Sequence, residues 1–164
     1  MPSFKSNIIE VCIFSIVKKS TKYLLLRRSK SEKIYPDTWQ IISGRIEKNE
    51  TALQASLREM IEETSLRPKK FWVCPHSNVF LNPIKNEIHA TSVFVAEVSD
   101  GINPKLSAEH YQFKWCSFAE AKKLLVWPGQ INVIKISNDY IVKRGETSRW
   151  AEIPISTYKK FLKG

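Results

Sequence analysis

The first half of the chain consists of short apolar runs separated by polar turns. Residues 8–17 and 23–28 are rich in β-branched and aromatic side chains, and the polar segment KKSTK lies between them. This pattern predicts a β-hairpin. After the polar loop SKSEKIYPD, the segment TWQIIS predicts a short strand that ends at Gly44.

The segment that follows has the period of an α-helix. Thr51 and Gln54 match a capping box, the helical pattern runs to about Thr64, and Pro68 prevents its continuation. Apolar residues fall on one side of the projected helix, namely Leu53, Leu57, Met60 and Ile61, together with Thr64. Three carboxylates fall on the opposite side: Glu59, Glu62 and Glu63. We therefore expect the carboxylates to share one exposed surface.

The remaining patterns predict further strands and two helices. Strands are expected at residues 71–80 and 88–98, joined by the turn-like segment LNPIKNE, and at YQFKWCS. SFAEAKKLL predicts a short helix capped by Ser117, and a second helix is expected to start near Pro128 and to end before Gly145. These elements predict an α/β fold with a mixed β-sheet and helices on both faces. We expect a single domain over residues 1–164, with its core at about 8–136 and a C-terminal helix or tail at 137–164.

Composition and charge suggest an environment and a class of ligand. The 26 Lys and Arg residues exceed the 16 Asp and Glu residues, and the formal net charge of +10 should attract anions such as nucleotides, RNA or anionic membranes. No apolar run approaches the ~20 residues needed to cross a bilayer. Cys12, Cys74 and Cys116 are odd in number and lack C-x-x-C spacing, which argues against a disulfide framework or a zinc site. We expect a soluble protein of the reducing cytoplasm that does not bind membranes.

The three carboxylates on one helix surface point to a metal ion. Like charges at this spacing cost roughly 0.2–0.5 kcal/mol per pair when they are exposed. A hard divalent cation such as Mg²⁺ relieves this repulsion through oxygen ligands, and it commonly binds substrate phosphates as well. The alternative is a solvated acidic face in which Arg58 simply pairs with Glu62. The three histidines, His76, His89 and His110, have no ligand spacing and are interpreted as structural or surface residues.

The wider pattern around the helix resembles the Nudix box. The matching residues lie in register and are Gly44, Glu50, Arg58, Glu59, Met60, Glu62, Glu63 and Leu66, with Ser65 in place of the second glycine. The resemblance implies an α-β-α sandwich with a mixed sheet and a central catalytic loop-helix-loop. Ser65 lies just past the helix, so its departure should affect the helix end rather than a ligand.

The resemblance also implies roles for individual residues. Glu59, Glu62 and Glu63 would be catalytic and metal-binding, with the carbonyl of Gly44 as a further metal ligand. Arg58 would orient these carboxylates through salt bridges, and Glu50 would support the site. Family members often use a further acid about six residues before a Trp that begins the last strand, and Glu109 precedes Trp115 at this spacing. Glu109 is therefore predicted to be a metal ligand or base. The implied cofactor is Mg²⁺, with Mn²⁺ as a possible substitute.

The segments LLLRR, WQIISGRIEKNET and AEHYQFKW resemble the bacterial dihydroneopterin triphosphate and dATP pyrophosphohydrolase branch of the family. This implies cleavage of a nucleoside or pterin triphosphate to the monophosphate and pyrophosphate. Arg27 or Arg28 is a candidate to hold phosphate, and the aromatic residues that are candidates to stack on the ring are Trp39, Phe80, Phe94 and Tyr111. Dinucleoside polyphosphates, nucleotide sugars and capped RNA are alternative substrates. A non-catalytic nucleotide- or RNA-binding module is a further alternative, and the oligomeric state stays open.

Overall fold

One long strand organises the sheet. In the computed structural model, which describes residues 1–163, β1 (Ser3–Val17) pairs in parallel with β7 (Glu87–Glu97). Its other edge is shared between two antiparallel partners. Residues 8–11 pair with β4 (Ile42–Arg45), and residues 14–17 pair with β2 (Ser20–Arg28). The predicted hairpin is confirmed, and both of its strands are longer than the sequence pattern indicated.

Shorter strands extend the sheet in both directions. β3 (Trp39–Gln40) and β8 (His110–Cys116) pair with β2, whereas β5 (Lys70–Val73) and β6 (Val79–Asn82) pair with β7. The prediction of one strand over residues 71–80 is wrong, because residues 74–78 separate β5 from β6. Pro75 lies in this interruption, and proline lacks the N–H group that strand pairing uses. The predicted strands at 88–98 and at YQFKWCS are confirmed.

The central helix α1 (Ala52–Thr64) begins and ends where the sequence indicates. The Thr51 side chain accepts a hydrogen bond from Gln54 N at 3.2 Å, and Gln54 Oε1 accepts one from Thr51 N at 2.9 Å, so the predicted capping box is present. At the other end, Ser65 adopts the left-handed conformation with φ of 58°. A glycine would adopt this conformation without strain, which is why the substitution by Ser65 affects the helix end.

The helices cover both faces of the sheet, which confirms the α-β-α sandwich. Ile9, Val11 and Ile13 of β1 pack in one core with α1, whereas Cys12 and Phe14 face a second core on the opposite side. This second core also receives α2 (Phe118–Leu124), α3 (Pro128–Ile136) and the π-helical segment Ser137–Val142 that continues α3. The sequence prediction placed both of these helices correctly, including the Ser117 cap of α2.

The C-terminal segment, which the sequence predicted only as a helix or tail, folds back onto the sheet. It forms α4 (Glu146–Ala151), β9 (Glu152–Ile153), α5 (Ile155–Tyr158) and a short 3₁₀ helix (Lys159–Leu162). β9 pairs with β5, and the buried Tyr158 ring packs against Phe71 on the α1 side of the sheet. Within residues 1–163, no helix combines the length and apolar character needed to span a bilayer.

Candidate active site

Arg58 connects the acidic surface of α1 with the loop that precedes it. Its Nε donates to Glu50 Oε1 at 2.8 Å, and its Nη1 donates to Glu59 Oε1 at 2.8 Å and to Glu62 Oε2 at 3.1 Å. Nη2 donates to Glu50 Oε2 and to the Arg45 carbonyl, both at 2.9 Å. The hydrogen bonds from Arg58 lower the pKa of Glu50. The guanidinium therefore fixes α1 against the end of β4 and partly neutralises two of the box carboxylates.

Gly44 allows β4 to lie directly against Glu59. A Cβ atom at Gly44 would overlap Cγ, Cδ and Oε1 of the Glu59 side chain. The backbone of Gly44 does not have a positive φ, so the requirement for glycine comes from this close approach and not from an unusual conformation. The arrangement places the Gly44 backbone beside a carboxylate, as the predicted pair of metal ligands requires.

Glu63 is buried, contrary to the helical projection that placed it on the exposed acidic surface. The loop before β8 crosses the end of α1, where Lys105 N donates to the Thr64 carbonyl at 2.8 Å and Ser107 N to the Glu63 carbonyl at 3.3 Å. Burial raises the pKa of the Glu63 carboxyl to about 9, and the charges of Glu59 and Glu109 act in the same direction. Its Oε2 atom has no hydrogen-bond partner among residues 1–163.

The same loop brings Glu109 and His110 to the box carboxylates. Glu109 is exposed, and it lies near enough to Glu59 and Glu63 for its charge to raise the pKa of both carboxyls. His110 is buried, with Nδ1 at 3.6 Å from Glu63 Oε2. Burial, aided by the positive charge of Arg28, lowers the pKa of His110 to about 4. Because both groups are then neutral near pH 7, we interpret this contact as a close approach and not as an ion pair.

Gln40 connects His110 with the opposite side of the site. Gln40 Nε2 lies 3.0 Å from His110 Nε2. An amide nitrogen donates, so His110 Nε2 accepts and the ring proton resides on Nδ1, toward Glu63. The interpretation of His110 as a structural or surface residue was therefore incomplete, because its ring lies between the acidic helix and a neighbouring cavity.

The predicted phosphate-binding and stacking residues separate into three groups. Arg27 forms an ion pair with Asp37 at 3.0 Å, and its guanidinium lies 5.6 Å from the ring centres of both Trp39 and Tyr111. Tyr111 also donates a hydrogen bond to Asp37.

Arg28, the second group, forms an ion pair with Glu32 at 2.9 Å. Its positive charge lowers the pKa of both Glu63 and His110. Of these two arginines, Arg28 is therefore the one whose charge acts on Glu63 and His110.

The third group contains Phe80 and Phe94, and only Phe80 lines a cavity. The prediction that Phe94 stacks on a substrate is wrong, because its ring packs in the core, stacked 5.4 Å from Phe71. Phe80 lies on the short strand β6 and borders a cavity of about 430 Å³. The residues that line this cavity include Glu10, Tyr35, Gln40, Phe80, Trp127 and Gln130. Ser43 also borders this cavity, one residue before Gly44 on β4.

Comparison with known proteins identifies the family. A family model described as the NUDIX domain matches residues 7–135. The chain belongs to the NUDIX domain family. It is 28% identical over 149 residues to the dihydroneopterin triphosphate diphosphatase of Haemophilus influenzae, covering 82% of this chain and 89% of that protein. It is 48% identical over 59 residues to the m7GpppN-mRNA hydrolase NUDT17 of Xenopus laevis, covering 36% of this chain and 19% of that protein.

The solved structures support the same fold. An Ap4A hydrolase binary complex from C. elegans superimposes with a TM-score of 0.72 at 18% identity, covering 85% of this chain and 99% of the other. At this identity the likeness concerns the NUDIX fold alone. The chain spans less than a third of the length of two of the curated relatives that it matches.

NUDIX hydrolases generally use divalent cations, and the residues present here suit such an ion. The side chains predicted to bind the metal all offer carboxylate oxygens, which hard cations prefer as ligands. The buried Oε2 of Glu63 has no hydrogen-bond partner in residues 1–163 and is therefore available to a cation. A nearby cation would reverse the effect of burial and keep Glu63 ionised. Among the described residues, no three acidic, histidine or cysteine side chains already enclose a common point. Arg58 holds Glu59 and Glu62 in ion pairs.

Sequence reasoning missed His110, Gln40 and Glu10. His110 follows Glu109 directly, so the reasoning that selected Glu109 also indicated its neighbour. Gln40 lies within the WQ pair that supported the family resemblance. Glu10 is a buried acid between the apolar residues Ile9 and Val11, and such a residue is a useful signal because a buried carboxylate requires specific partners.

Proposed function

We propose that this NUDIX domain is a Mg²⁺-dependent pyrophosphohydrolase that converts a nucleoside or pterin triphosphate to the monophosphate and pyrophosphate. The observation that carries the proposal is the arrangement around Gly44. Glu59 and the buried Glu63 lie on one side of β4, Glu109 lies near both, and a cavity of suitable size for a ring system borders Ser43 on the same strand. A ligand that spans the two would place phosphates at the carboxylates and its ring in the cavity.

The residues of the chain have separable roles in this reaction. Glu59, Glu62, Glu63 and Glu109, with the Gly44 carbonyl, would hold Mg²⁺, which supplies charge shielding for the phosphates and activation of water. Arg58 keeps Glu59 and Glu62 at fixed positions through hydrogen bonds of 2.8 Å and 3.1 Å. In the reaction the oxygen of water attacks phosphorus, the bond to the leaving phosphate oxygen breaks, and a carboxylate accepts the proton of the water. Glu59 and Glu63 lie closest to the shared site, and in the ionised form that a bound cation would maintain they are the candidates for the proton acceptor.

Arg28 is the arginine that we assign to the phosphates. It lies close enough to Glu63 and His110 for its charge to shift both of their pKa values. Arg27 has a different role, because Asp37, Trp39 and Tyr111 surround it and hold its guanidinium in place. The buried, unpaired state of the three cysteines suits a reducing compartment, and we propose that the protein acts in the cytoplasm.

The test is product identification with a substrate panel. Purified protein is incubated with Mg²⁺ and with deoxynucleoside and nucleoside triphosphates, dihydroneopterin triphosphate, diadenosine polyphosphates and nucleotide sugars. We expect at least one triphosphate to yield the monophosphate and pyrophosphate. Glu62→Gln and Glu63→Gln should each reduce turnover by at least about 100-fold with folding retained, whereas the exposed Glu146→Gln serves as the matched control. Near-normal turnover in both box variants would contradict the proposal.

A second candidate is cleavage of capped RNA or a dinucleoside polyphosphate at the same carboxylates. It is favoured by the 48% identity to the Xenopus laevis m7GpppN-mRNA hydrolase over 59 residues and by the net charge of +10, which suits a polyanion. Release of a nucleoside diphosphate from a capped RNA, together with no pyrophosphate release from any triphosphate, would select this candidate.

A further inference from the structure

Glu10 is a buried carboxylate at the floor of the 430 Å³ cavity, and only neutral groups hold it. It is 5% exposed. Its Oε2 accepts hydrogen bonds from Asn78 Nδ2 at 2.6 Å and from Thr91 Oγ1 at 3.0 Å, and its Oε1 accepts one from Gln130 Nε2 at 3.3 Å. Within residues 1–163 it forms no ion pair, although a buried carboxylate is costly without full satisfaction. Its partners therefore leave part of its capacity unused.

The three donors are themselves held in place, so the orientation of the carboxylate is fixed. Asn78 Oδ1 lies 2.9 Å from His76 Nε2, Thr91 Oγ1 accepts a hydrogen bond from Asn78 N at 3.1 Å, and Gln130 Oε1 accepts one from Ile41 N at 3.3 Å. A Cβ at Gly129 would lie 2.7 Å from Asn78 Oδ1, so Gly129 permits the close approach of α3 to this group. Two donors already occupy Oε2, whereas Oε1 receives one long hydrogen bond and retains acceptor capacity toward the cavity.

The walls of the cavity present flat aromatic surfaces. Trp127, Phe80 and Tyr35 all border it and are 39%, 47% and 55% exposed, respectively. Tyr35 and Trp127 contact each other edge-on with ring centres 4.7 Å apart. Exposed rings around a polar floor are typical of sites that stack a planar heteroaromatic ligand and fix its orientation with a few polar groups.

We propose that this cavity binds a 2-amino-4-oxopyrimidine ring, the unit shared by guanine and pterins, with its adjacent ring N–H and amino groups both donating to Glu10 Oε1 in place of the long 3.3 Å hydrogen bond from Gln130. This inference rests on the proposed function and specifies its substrate class. Glu10 accepts and does not donate, so it matches an edge with two neighbouring donors. Adenine and cytosine instead place a ring nitrogen acceptor beside the amino group, and that lone pair would face the carboxylate. Uracil and thymine offer one N–H between two carbonyl oxygens.

The charge of Glu10 also sets the direction of the ligand. A carboxylate repels phosphate, so the phosphates would point away from the cavity floor. Gln40 and Ser43 border the cavity, and Gln40 contacts His110, which lies against Glu63, so these side chains connect the cavity with the box carboxylates on the other face of the sheet. The ring edge at Glu10 and the phosphates at α1 are thus compatible with one extended ligand.

The test measures binding of monophosphates, which have no anhydride bond to hydrolyse. Calorimetry in EDTA compares GMP, IMP and AMP, and dihydroneopterin monophosphate distinguishes the pterin source of the same ring unit. IMP lacks only the 2-amino group. We expect GMP or the pterin to bind about 10- to 100-fold more tightly than IMP and AMP, because each hydrogen bond to a charged group contributes about 1.5–3 kcal/mol. Equal binding of all four, or no binding of any at millimolar concentration, would overturn the inference.

Two variants connect this preference to Glu10. Glu10→Gln replaces one carboxylate oxygen by a donor and should bring GMP binding to within about threefold of IMP. Glu87→Gln is the matched control on the neighbouring strand β7, and it should keep the full preference. If Glu10→Gln fails to fold, the comparison of GMP with IMP in the wild type still decides the matter. Hydrolysis of triphosphates without ring preference would refute this inference alone, whereas selective GMP binding without hydrolysis would refute the proposed hydrolysis alone.

Discussion

Replacement of Gly44 by alanine tests whether close approach of β4 to Glu59 matters for activity. The added Cβ would overlap Glu59 Cγ and Cδ, and Glu59 must retreat by about 1 Å to reach ordinary contact distance, a displacement that can cost about 100-fold in rate. The clash involves a side chain and not backbone, and Gly44 has no positive φ, so the fold has little to lose. We therefore expect a large loss of turnover with a loss of stability below about 1 kcal/mol.

The assay is pyrophosphate release from the best triphosphate of the panel, with stability measured by urea unfolding. The matched control is Gly145→Ala, since a Cβ at Gly145 meets no atom within 4 Å and its φ is −73°. Gly145→Ala should retain full activity. If Gly44→Ala keeps turnover within threefold of wild type, the position of Glu59 against β4 is not important for catalysis. A loss of activity that merely follows unfolding would equally refute the reasoning.

Three further predictions concern α1 and its surroundings. Burial raises the pKa of Glu63 from 4.5 to about 9, so metal-free protein should lose stability as pH rises through this window, by up to about 1.4 kcal/mol per pH unit. Below about pH 6.5 the lowered pKa of His110 has the opposite effect on stability, so the comparison is made above it. Unfolding in EDTA at pH 7 and 8 should show this slope in wild type and Glu62→Gln but not in Glu63→Gln; the same slope in Glu63→Gln would contradict it. Ser65→Gly should raise the free energy of unfolding by about 0.5–1 kcal/mol with unchanged turnover, because Ser65 has φ of 58°, and a destabilised variant would count against this account of the helix end. Arg58→Lys should lower turnover about 10- to 100-fold, since lysine cannot make the five hydrogen bonds of Arg58 at once; turnover equal to wild type would show that its fork geometry is dispensable.

The local elements were accessible from sequence because local signals specify them. The capping box of Thr51 and Gln54, the cap at Ser117 and the proline near the start of α3 all mark helix starts that the structure contains. The hairpin of β1 and β2 follows from alternation and a polar turn. The strand predicted at 71–80 was wrong because the apolar pattern outweighed Pro75, whose missing N–H interrupts pairing.

The site depended on contacts that no local pattern contains. A helical projection places Glu63 with Glu59 and Glu62, but it cannot show that the loop before β8 crosses the helix end and buries Glu63. The choice between Phe80 and Phe94 was also beyond the sequence, because both lie in strands and only the packing of the sheet decides which ring reaches a cavity. His110 acquires its role in the same way, from a loop that folds over a distant helix.

The two faces of β1 have a consequence for how the substrate range of such a domain evolves. Ile9 lies toward α1 and pairs with Gly44, whereas Glu10 points to the opposite face, where α3 and the cavity lie. Substitutions that reshape the cavity can thus accumulate on one side of the sheet while the carboxylates on the other side keep their positions. If the cavity binds the ring as proposed, a lineage with this architecture can exchange that ring and retain its chemistry, and laboratory selection for new substrates should begin at Glu10, Asn78 and Trp127.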